Sequence, residues 1–317
     1  MSQPFLWTNL LHLGCNMWTE EGNTRGRENR SNSQAFTRLH FNRELWDAHI
    51  LELKDAGVNA LIIDVGEALR YESHPELAVE GSWSHAEMRA EVERLKALGF
   101  EVIPKLNFSS AHDIWLKDYS RMLSTPTYYE VCRDVIAEVC EVFRPKYFHL
   151  GMDEETYQNQ RNFNFVVIRQ YDLWWHDLYF LIGEVEKAGA RPWVWADYMW
   201  TNLDTYLAKM PKSVLQSNWF YYGTFENLSE SRERSLRSFD VLDQHGFDQI
   251  PAGSVWAAHE NLEGLTRYCA EHISPDRLLG MMQTTWERID PDWMHVHHVA
   301  AERIAAAKQW YEINHNQ

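Results

Sequence analysis

Short apolar runs alternate along this chain with longer stretches in which apolar positions recur every three or four residues. Runs of the first kind are typical of buried strands, and stretches of the second kind are typical of helices that bury one face. We predict strands at residues 10–16, 58–64, 100–107, 147–150, 192–197, 213–219, 250–256 and 278–287. We predict helices at residues 43–56, 84–98, 126–143, 164–188, 203–210, 229–245 and 292–311, and one more helix, after the seventh strand, that ends at His272.

This alternation predicts the fold class. Strands that alternate with helices imply a parallel sheet, and eight strand–helix units in 317 residues imply a closed barrel. An open, doubly wound sheet is the alternative, but no glycine-rich phosphate-binding loop follows the first strand. No linker or internal repeat divides the chain. We therefore expect an α/β protein in which residues 1–317 form a single (β/α)8 TIM barrel without an accessory domain.

The fourth predicted strand ends in an acidic cluster. Its apolar run, 147–150, is followed by Gly151 and then by Asp153, Glu154 and Glu155. Ionised carboxylates are costly to bury without partners, which makes them an unusual end for a core strand. At the carboxyl end of a barrel strand the same residues are placed for acid–base catalysis. A solvated acidic turn is the alternative interpretation.

Polar and aromatic residues also stand at the ends of the other predicted strands, and these ends converge on one mouth in a barrel. They are Asn16, Asp64, Glu67, Asn107, Asp197, Trp219, Tyr221, Tyr222, Trp256, Trp286 and Glu287. Carboxylates with an aromatic wall are typical of glycosidases, in which one acid protonates the leaving oxygen and a second group stabilises an oxocarbenium-like centre.

The amino-acid composition limits the classes of molecule that this protein is expected to bind. A net charge of −16 argues against nucleic acids and anionic membranes, which both attract basic patches. No apolar run is long enough to span a bilayer, and the start lacks a signal sequence. The four cysteines lack metal spacing, so we expect reduced thiols, a cytoplasmic location and no metal or other cofactor. The fifteen tryptophans and fourteen tyrosines favour a carbohydrate partner, because aromatic rings stack on the apolar faces of sugars. The sequence leaves open whether the chain forms a homo-oligomer.

The segment His149-Leu150-Gly151-Met152-Asp153-Glu154 resembles the His-x-Gly-x-Asp-Glu motif of glycoside hydrolase family 20, the β-N-acetylhexosaminidases. Four further segments are similar to that family's motifs: His74 to Leu77, Val102 to His112, Trp195 to Asp197 with Trp219, and Thr285 to Glu287. The resemblance implies a barrel fold and sugar contacts from His112, Trp195, Asp197, Trp219, Trp286 and Glu287.

It also implies a retaining mechanism in which the acetamide of the substrate is the nucleophile. Glu154 would be the general acid and then the base, and Asp153 would orient the acetamide. Tyr221 or Tyr222 would donate a hydrogen bond to the acetamide oxygen. We also expect Asn16, Asp64 and His149 to belong to the substrate-binding site, where His149 would pack inside the strand and orient a carboxylate.

The sequence departs from that family at the residues that bind the distal hydroxyls of the sugar, which we call the sugar clamp. Asn16-Met17-Trp18 stands where the family has an arginine for the distal hydroxyls, and Lys105 and Asn107 replace an acid pair. One hypothesis is that Arg25, Arg27 or Arg30 replaces the clamp. The other is that the sugar is not a terminal N-acetylglucosamine.

Three other functions stay open. One is a barrel glycosidase for a different sugar, without acetamide assistance, and the second is a catalytically silent sugar-binding barrel. The third is a metal-dependent isomerase or lyase, for which His295, His297 and His298 would be the candidate ligands. No acid has the spacing that would complete such a site.

Overall fold

The computed structural model describes residues 4–20, 35–161 and 163–315, and eight parallel strands form its centre. They are β1 (Leu6–His12), β2 (Ala60–Asp64), β3 (Glu101–Lys105), β4 (Tyr147–His149), β5 (Arg191–Trp195), β6 (Leu215–Ser217), β7 (Ala252–Ser254) and β8 (Gly280–Thr284). They pair in the order β6-β5-β4-β3-β2-β1-β8-β7. Bridges from Gln216 to Gln249 and from Trp219 to Ala252 join β6 to β7 and close the ring. The predicted (β/α)8 barrel is confirmed.

The described α-helices connect successive strands around this ring. They are α1 (Arg43–Asp55), α2 (His85–Ala97), α3 (Pro126–Phe143), α4 (Tyr157–Gln160), α5 (Asp172–Lys187), α6 (Leu203–Lys209), α7 (Glu230–Gln244), α8 (Asn261–His272) and α9 (Met294–His315). Short 3₁₀ segments add turns at Gly66–Ala68, Pro75–Leu77, Ile114–Arg121 and Asp197–Trp200. None of the described helices combines the length and apolarity needed to cross a bilayer.

Local sequence explains where several helices begin. The Ser84 side chain accepts a hydrogen bond from the backbone N–H of Glu87, whose carboxylate in turn accepts from the Ser84 backbone, so α2 starts at a complete capping box. The Thr125 side chain caps α3 by accepting the backbone N–H of Tyr128, and Pro126 fits the first turn because its missing N–H is not needed there.

Alternate residues of each strand face two apolar layers. Side chains inside the ring form a small core that includes Leu10, Ile62, Ile103, Trp193 and Met282. Side chains on the outer face pack against the helices in a much larger core. The inner core fills the barrel, which leaves the carboxyl ends of the strands to form a mouth.

The first strand was predicted too late in the chain. The prediction was 10–16, whereas β1 spans Leu6–His12 and the chain then turns away from the sheet. The Glu67 carboxylate accepts hydrogen bonds from the backbone N–H groups of Cys15 (2.7 Å) and Asn16 (3.1 Å). Those two groups therefore bond to a side chain instead of a neighbouring strand.

The helix predicted at 164–188 was also too long at its start. α5 begins at Asp172, and a loop precedes it. Glu155 fixes this loop, because its carboxylate accepts hydrogen bonds from the backbone N–H of Arg169 at 2.7 Å and from its Nε at 3.0 Å. The final helix begins at Met294 and extends beyond the predicted end to His315.

A buried ion pair lies inside the barrel near the mouth. Lys105 Nζ donates to Asp64 Oδ2 at 2.6 Å, and His12 Nδ1 lies 3.2 Å from the same oxygen. Burial alone would raise the pKa of Asp64, but the charge of Lys105 and the contact with His12 outweigh it and lower the pKa. Asp64 is therefore an anion whose charge is compensated within the barrel.

We expect Lys105→Met to lower the free energy of unfolding by about 3–5 kcal/mol, because it leaves Asp64 as a buried and poorly compensated charge. Urea denaturation would measure this loss. The matched control is Lys146→Met, which removes an exposed partner of Glu101 and should cost less than about 1 kcal/mol. Equal losses in both variants would show that the Lys105 pair is solvated.

Candidate active site

The turn that follows β4 has an unusual backbone. Gly151, Met152 and Glu154 have φ values of +71°, +74° and +54°, all in the left-handed region. A Cβ on Gly151 would lie only 2.1 Å from Asn107 Oδ1, so glycine is required there. Each of the two non-glycine residues adds strain of about 1–3 kcal/mol, and such strain is concentrated at functional sites.

Asn107, just beyond β3, holds this turn. Its Oδ1 accepts the backbone N–H of Met152 at 3.2 Å, and its Nδ2 donates to Asp153 Oδ1 at 2.8 Å. The Gly151 N–H donates to His149 Nδ1 at 3.0 Å. The strained backbone and the direction of the Asp153 carboxylate are therefore fixed by neighbouring side chains.

His112 lies between the two catalytic candidates. Its Nδ1 is 3.2 Å from Asp153 Oδ1, and its Nε2 is 3.5 Å from Glu154 Oε2. Burial opposes protonation of His112, but the negative charges of Asp153 and Glu154 outweigh it and raise the pKa to about 10. Burial likewise opposes ionisation of Asp153, and His112 outweighs it and lowers the pKa of Asp153. The imidazolium and the Asp153 carboxylate form a buried ion pair.

Asp197 contacts the same turn from β5. Its Oδ2 accepts a hydrogen bond from the backbone N–H of Glu154 at 2.9 Å. The predicted site residues Asp153, Glu154, His112 and Asp197 are therefore brought together by two neighbouring strands and the loop after a third.

A cavity of about 320 Å³ opens beside these groups, within the usual size range of ligand sites. Its lining combines carboxylates with aromatic rings and consists of Trp18, His112, Asp153, Glu154, Asn159, Trp195, Trp219, Tyr221, Trp256 and Trp286. The rings touch one another, with centroids 5.8 Å apart for Trp195 and Trp286 and 4.9 Å for Trp219 and Tyr221. The cavity offers flat apolar walls beside two acids.

Five residues predicted as substrate contacts, Asp197 among them, lie outside the lining of this cavity. Asn16 exchanges hydrogen bonds with the backbone of Phe36 at 2.8 and 2.7 Å, and it borders a separate cavity of about 770 Å³. Asp64 faces Lys105 in the barrel. Glu287 is buried, and its backbone N–H lies 3.5 Å from Thr285 Oγ1.

His149 is the last of these five residues, and it is fully buried below the turn. Burial lowers its pKa to about 3, and the nearby charge of Lys105 acts in the same direction. His149 is thus neutral, which fits its Nδ1 accepting the N–H of Gly151.

Three cavity residues were absent from the predicted substrate contacts. Trp18 lies in the loop that follows β1, and Asn159 lies in the short helix α4 after β4, where no periodic pattern marks a position. Trp256 stood at a predicted strand end, and its side chain is half exposed at the mouth. An aromatic residue shortly after a predicted strand is the signal that could have found Trp18 and Trp256.

His112, Asp153 and Glu154 offer three ligand atoms within 4.8 Å of one another, which is close enough for a metal ion. In the described structure the two acids contact opposite nitrogens of the ring, at 3.2 and 3.5 Å, and His112 bridges them as an ion-pair partner.

The three histidines considered as metal ligands, His295, His297 and His298, each contact a different partner. His297 Nε2 lies 3.0 Å from the carbonyl oxygen of Arg288, and His298 Nδ1 lies 2.6 Å from Glu52 Oε1. His295 packs against Trp293 instead. The arginines proposed as a replacement clamp, Arg25, Arg27 and Arg30, lie outside the described residues.

The raised pKa of His112 predicts a pH-dependent stability. A raised folded-state value contributes stability that is fully present below the ordinary value of 6.5 and is lost as pH rises through about 10. We expect His112→Asn to lose about 3 kcal/mol near pH 6. The gap to the native chain should narrow towards pH 10 in urea denaturation.

His259, an exposed residue on the loop after β7, provides the control variant His259→Asn. It should match the native chain at each pH. A His112→Asn deficit that stays constant from about pH 6 to about pH 10 would contradict a charged imidazole.

Comparison with known proteins gives the fold a context. No protein-family model matches the sequence, and no curated protein matches it. Several solved structures share its fold. A family 20 exo-β-N-acetylglucosaminidase from Vibrio harveyi, solved with N-acetylglucosamine, is 16% identical with a TM-score of 0.63, over 96% of this chain and 54% of that one.

The chitobiase of Flavobacterium johnsoniae is 16% identical with a TM-score of 0.61, over 84% of this chain and 46% of that one. Dispersin B is 14% identical with a TM-score of 0.59, over 97% of this chain and 99% of that one. The chain thus spans about half the length of the first two proteins. The predicted resemblance to glycoside hydrolase family 20 is confirmed in the fold of the barrel.

Proposed function

We propose that this chain is a retaining glycosidase that cleaves a terminal 2-acetamido sugar with the help of the substrate's own acetamide. The observation that carries the proposal is the position of Asp153 and Glu154. Both line the aromatic cavity at the end of β4, and His112 lies between them.

Asp153 has the properties required to orient an acetamide. It is an anion with a lowered pKa, and its contacts with Asn107 and His112 both use Oδ1. A fixed carboxylate can accept a hydrogen bond from the acetamide N–H and stabilise the positive charge that develops there. The acetamide oxygen would then attack the anomeric carbon and form an oxazolinium ion.

Glu154 has the position required of the general acid. Its side chain is 39% exposed and reaches the cavity, whereas its neighbours in the cluster are buried. It would donate a proton to the glycosidic oxygen as the bond to the anomeric carbon breaks. The resulting carboxylate would then take a proton from the water that opens the oxazolinium ion. Two attacks on opposite faces retain the anomeric configuration.

Tyr221 is the better of the two tyrosine candidates for the acetamide oxygen. Tyr221 lines the cavity, and burial raises the pKa of its hydroxyl, which therefore stays protonated and able to donate. The Tyr222 ring instead lies beneath the guanidinium of Arg232, 3.8 Å from the ring centroid.

The aromatic walls would hold the apolar faces of the sugar ring. We assign this role to Trp195, Trp219 and Trp286, which the sequence had already selected, together with Trp18. Asn16, Asp64, His149 and Glu287 would support the site without lining the described cavity.

The alternative of a different sugar gains support from one observation. None of the described residues that line the cavity is an arginine, so the described residues supply no guanidinium to clamp the distal hydroxyls. A glycosidase for a different sugar is the function that this observation favours.

Glu154→Gln keeps the shape of the side chain and removes the acid. We expect kcat to fall by about 10²–10⁴ on a glycoside with a poor leaving group, because its oxygen must be protonated. The loss should be much smaller on a dinitrophenyl glycoside, whose leaving group needs no proton. Steady-state kinetics on both substrates would measure the difference.

Glu226 is an exposed glutamate on the loop after β6, on the same face of the barrel, and Glu226→Gln serves as the control. It should match the native enzyme on both glycosides. If Glu154→Gln turns over the poor substrate at the native rate, another residue supplies the proton.

Acetamide assistance predicts a clear substrate preference. We expect an aryl 2-acetamido glycoside to be hydrolysed and its 2-hydroxy counterpart to be left intact, because only the first carries the nucleophile. An N-acetylglucosamine thiazoline, which mimics the cyclised intermediate, should inhibit competitively. Hydrolysis of the 2-hydroxy glycoside without thiazoline inhibition would instead support the alternative.

A further inference from the structure

We propose that Asp197 is a positioning residue that fixes the backbone of Glu154 through its buried carboxyl group. This assignment replaces the expected sugar contact with a role one step removed from the substrate. It rests on the proposed function, because it takes Glu154 as the acid–base residue.

The backbone of Glu154 is held from both sides. Its N–H donates to Asp197 Oδ2 at 2.9 Å. Its carbonyl oxygen accepts the N–H of Thr156 at 2.7 Å and Asn159 Nδ2 at 3.1 Å. Because Glu154 has a φ of +54°, its N–H would lack the usual strand partner, and the carboxyl of Asp197 takes that place.

Asp197 is itself rigidly placed by the end of β5. The N–H of Trp195 donates to the carbonyl of Gly151 at 3.0 Å, and the N–H of Ala196 donates to Ser217 at 2.9 Å. Asp197 is then the first residue of the 3₁₀ segment Asp197–Trp200. Its carboxyl is therefore tied to the same strand pair that carries the turn.

The second carboxyl oxygen of Asp197, Oδ1, indicates that this group is protonated. Oδ1 is buried and has no hydrogen-bond partner among the described residues. Asp153 and Glu154 lie near Asp197 on the β4 turn. Tyr206 of α6 donates its hydroxyl to Gln216, and burial, followed by the charge of Asp197, raises the pKa of Tyr206. Burial, followed by the charge of Asp153, raises the pKa of Asp197 to about 8.

These contacts are explained if the carboxyl group of Asp197 is protonated. The neutral carboxyl still accepts the N–H of Glu154 through Oδ2, and it adds no further negative charge beside Asp153. The nearby cation, His112, already lies between Asp153 and Glu154. Ionisation of Asp197 above about pH 8 would place a new charge next to the acid–base residue.

Two substitutions separate positioning from sugar contact. Asp197→Asn keeps an oxygen for the Glu154 N–H and places an NH₂ donor where the acid carries its proton. We expect kcat and KM to stay within about threefold of native near pH 7, and an alkaline loss of activity near pH 8 to disappear. Asp197→Ala removes the acceptor and should lower kcat at least about tenfold with little change in KM.

The kinetic results can overturn the assignment in two ways. A raised KM with native kcat in both variants would make Asp197 a sugar contact. A native kcat in Asp197→Ala would show that the hydrogen bond does not position Glu154. The control Asp204→Asn, at an exposed position on α6, should leave both constants and the pH profile unchanged.

A second measurement does not require activity. A raised carboxyl pKa stabilises the folded chain most below the ordinary value of 3.8, and this stability is lost as pH rises towards about 8. The stability of Asp197→Asn relative to the native chain should therefore increase from about pH 5 to about pH 8 and level off above that. Urea denaturation would follow the difference.

A stability difference that stays flat over this range would show an ionised Asp197 and overturn the inference. If no glycoside is hydrolysed by the native chain while the stability difference rises as expected, the proposed function fails and the protonated carboxyl stands. The two failures are thereby distinguishable.

Discussion

The site depends on how negative charge is accommodated in a largely aromatic mouth. Asp153 and Glu154 are neighbours in sequence, and an apolar lining strengthens the repulsion between carboxylates. The imidazolium of His112 lies between them and lowers that cost. Asn107 adds a neutral donor to Asp153, and the charge of Lys105 inside the barrel also favours the ionised form of Asp153.

Three consecutive acids are directed to three different environments. Asp153 turns inward to His112 and Asn107, and Glu154 reaches the cavity. Glu155 turns to Arg169, and these two side chains are each only 1% exposed. The left-handed residues of the turn make this divergence possible, because a regular strand would place Asp153 and Glu155 on the same face. The same turn thus provides a charged anchor, a reactive acid and a structural ion pair.

The sequence was sufficient for the architecture, because period and spacing are local properties of the chain. It also located Asp153 and Glu154, since acids at a strand end are unusual in any barrel. It failed where a partner from elsewhere decides the outcome. Glu67 ends β1 early by taking two backbone N–H groups, and Lys105 engages Asp64 inside the barrel. Trp18, in a loop, and Asn159, in the four-residue helix α4, were missed because neither segment is long enough to show a periodic pattern.

The cavity is assembled from separable parts. Its acids depend on β4 and on the segment after β3, whereas its aromatic walls come from β5, β6, β8 and the loop that follows β1. The hydrogen bonds that anchor Asp153 and the backbone of Glu154 come from Asn107, Asp197 and Asn159 and not from the aromatic rings. The indole rings can therefore be exchanged to alter ligand preference, while the close approach of Asn107 to Gly151 must be kept intact.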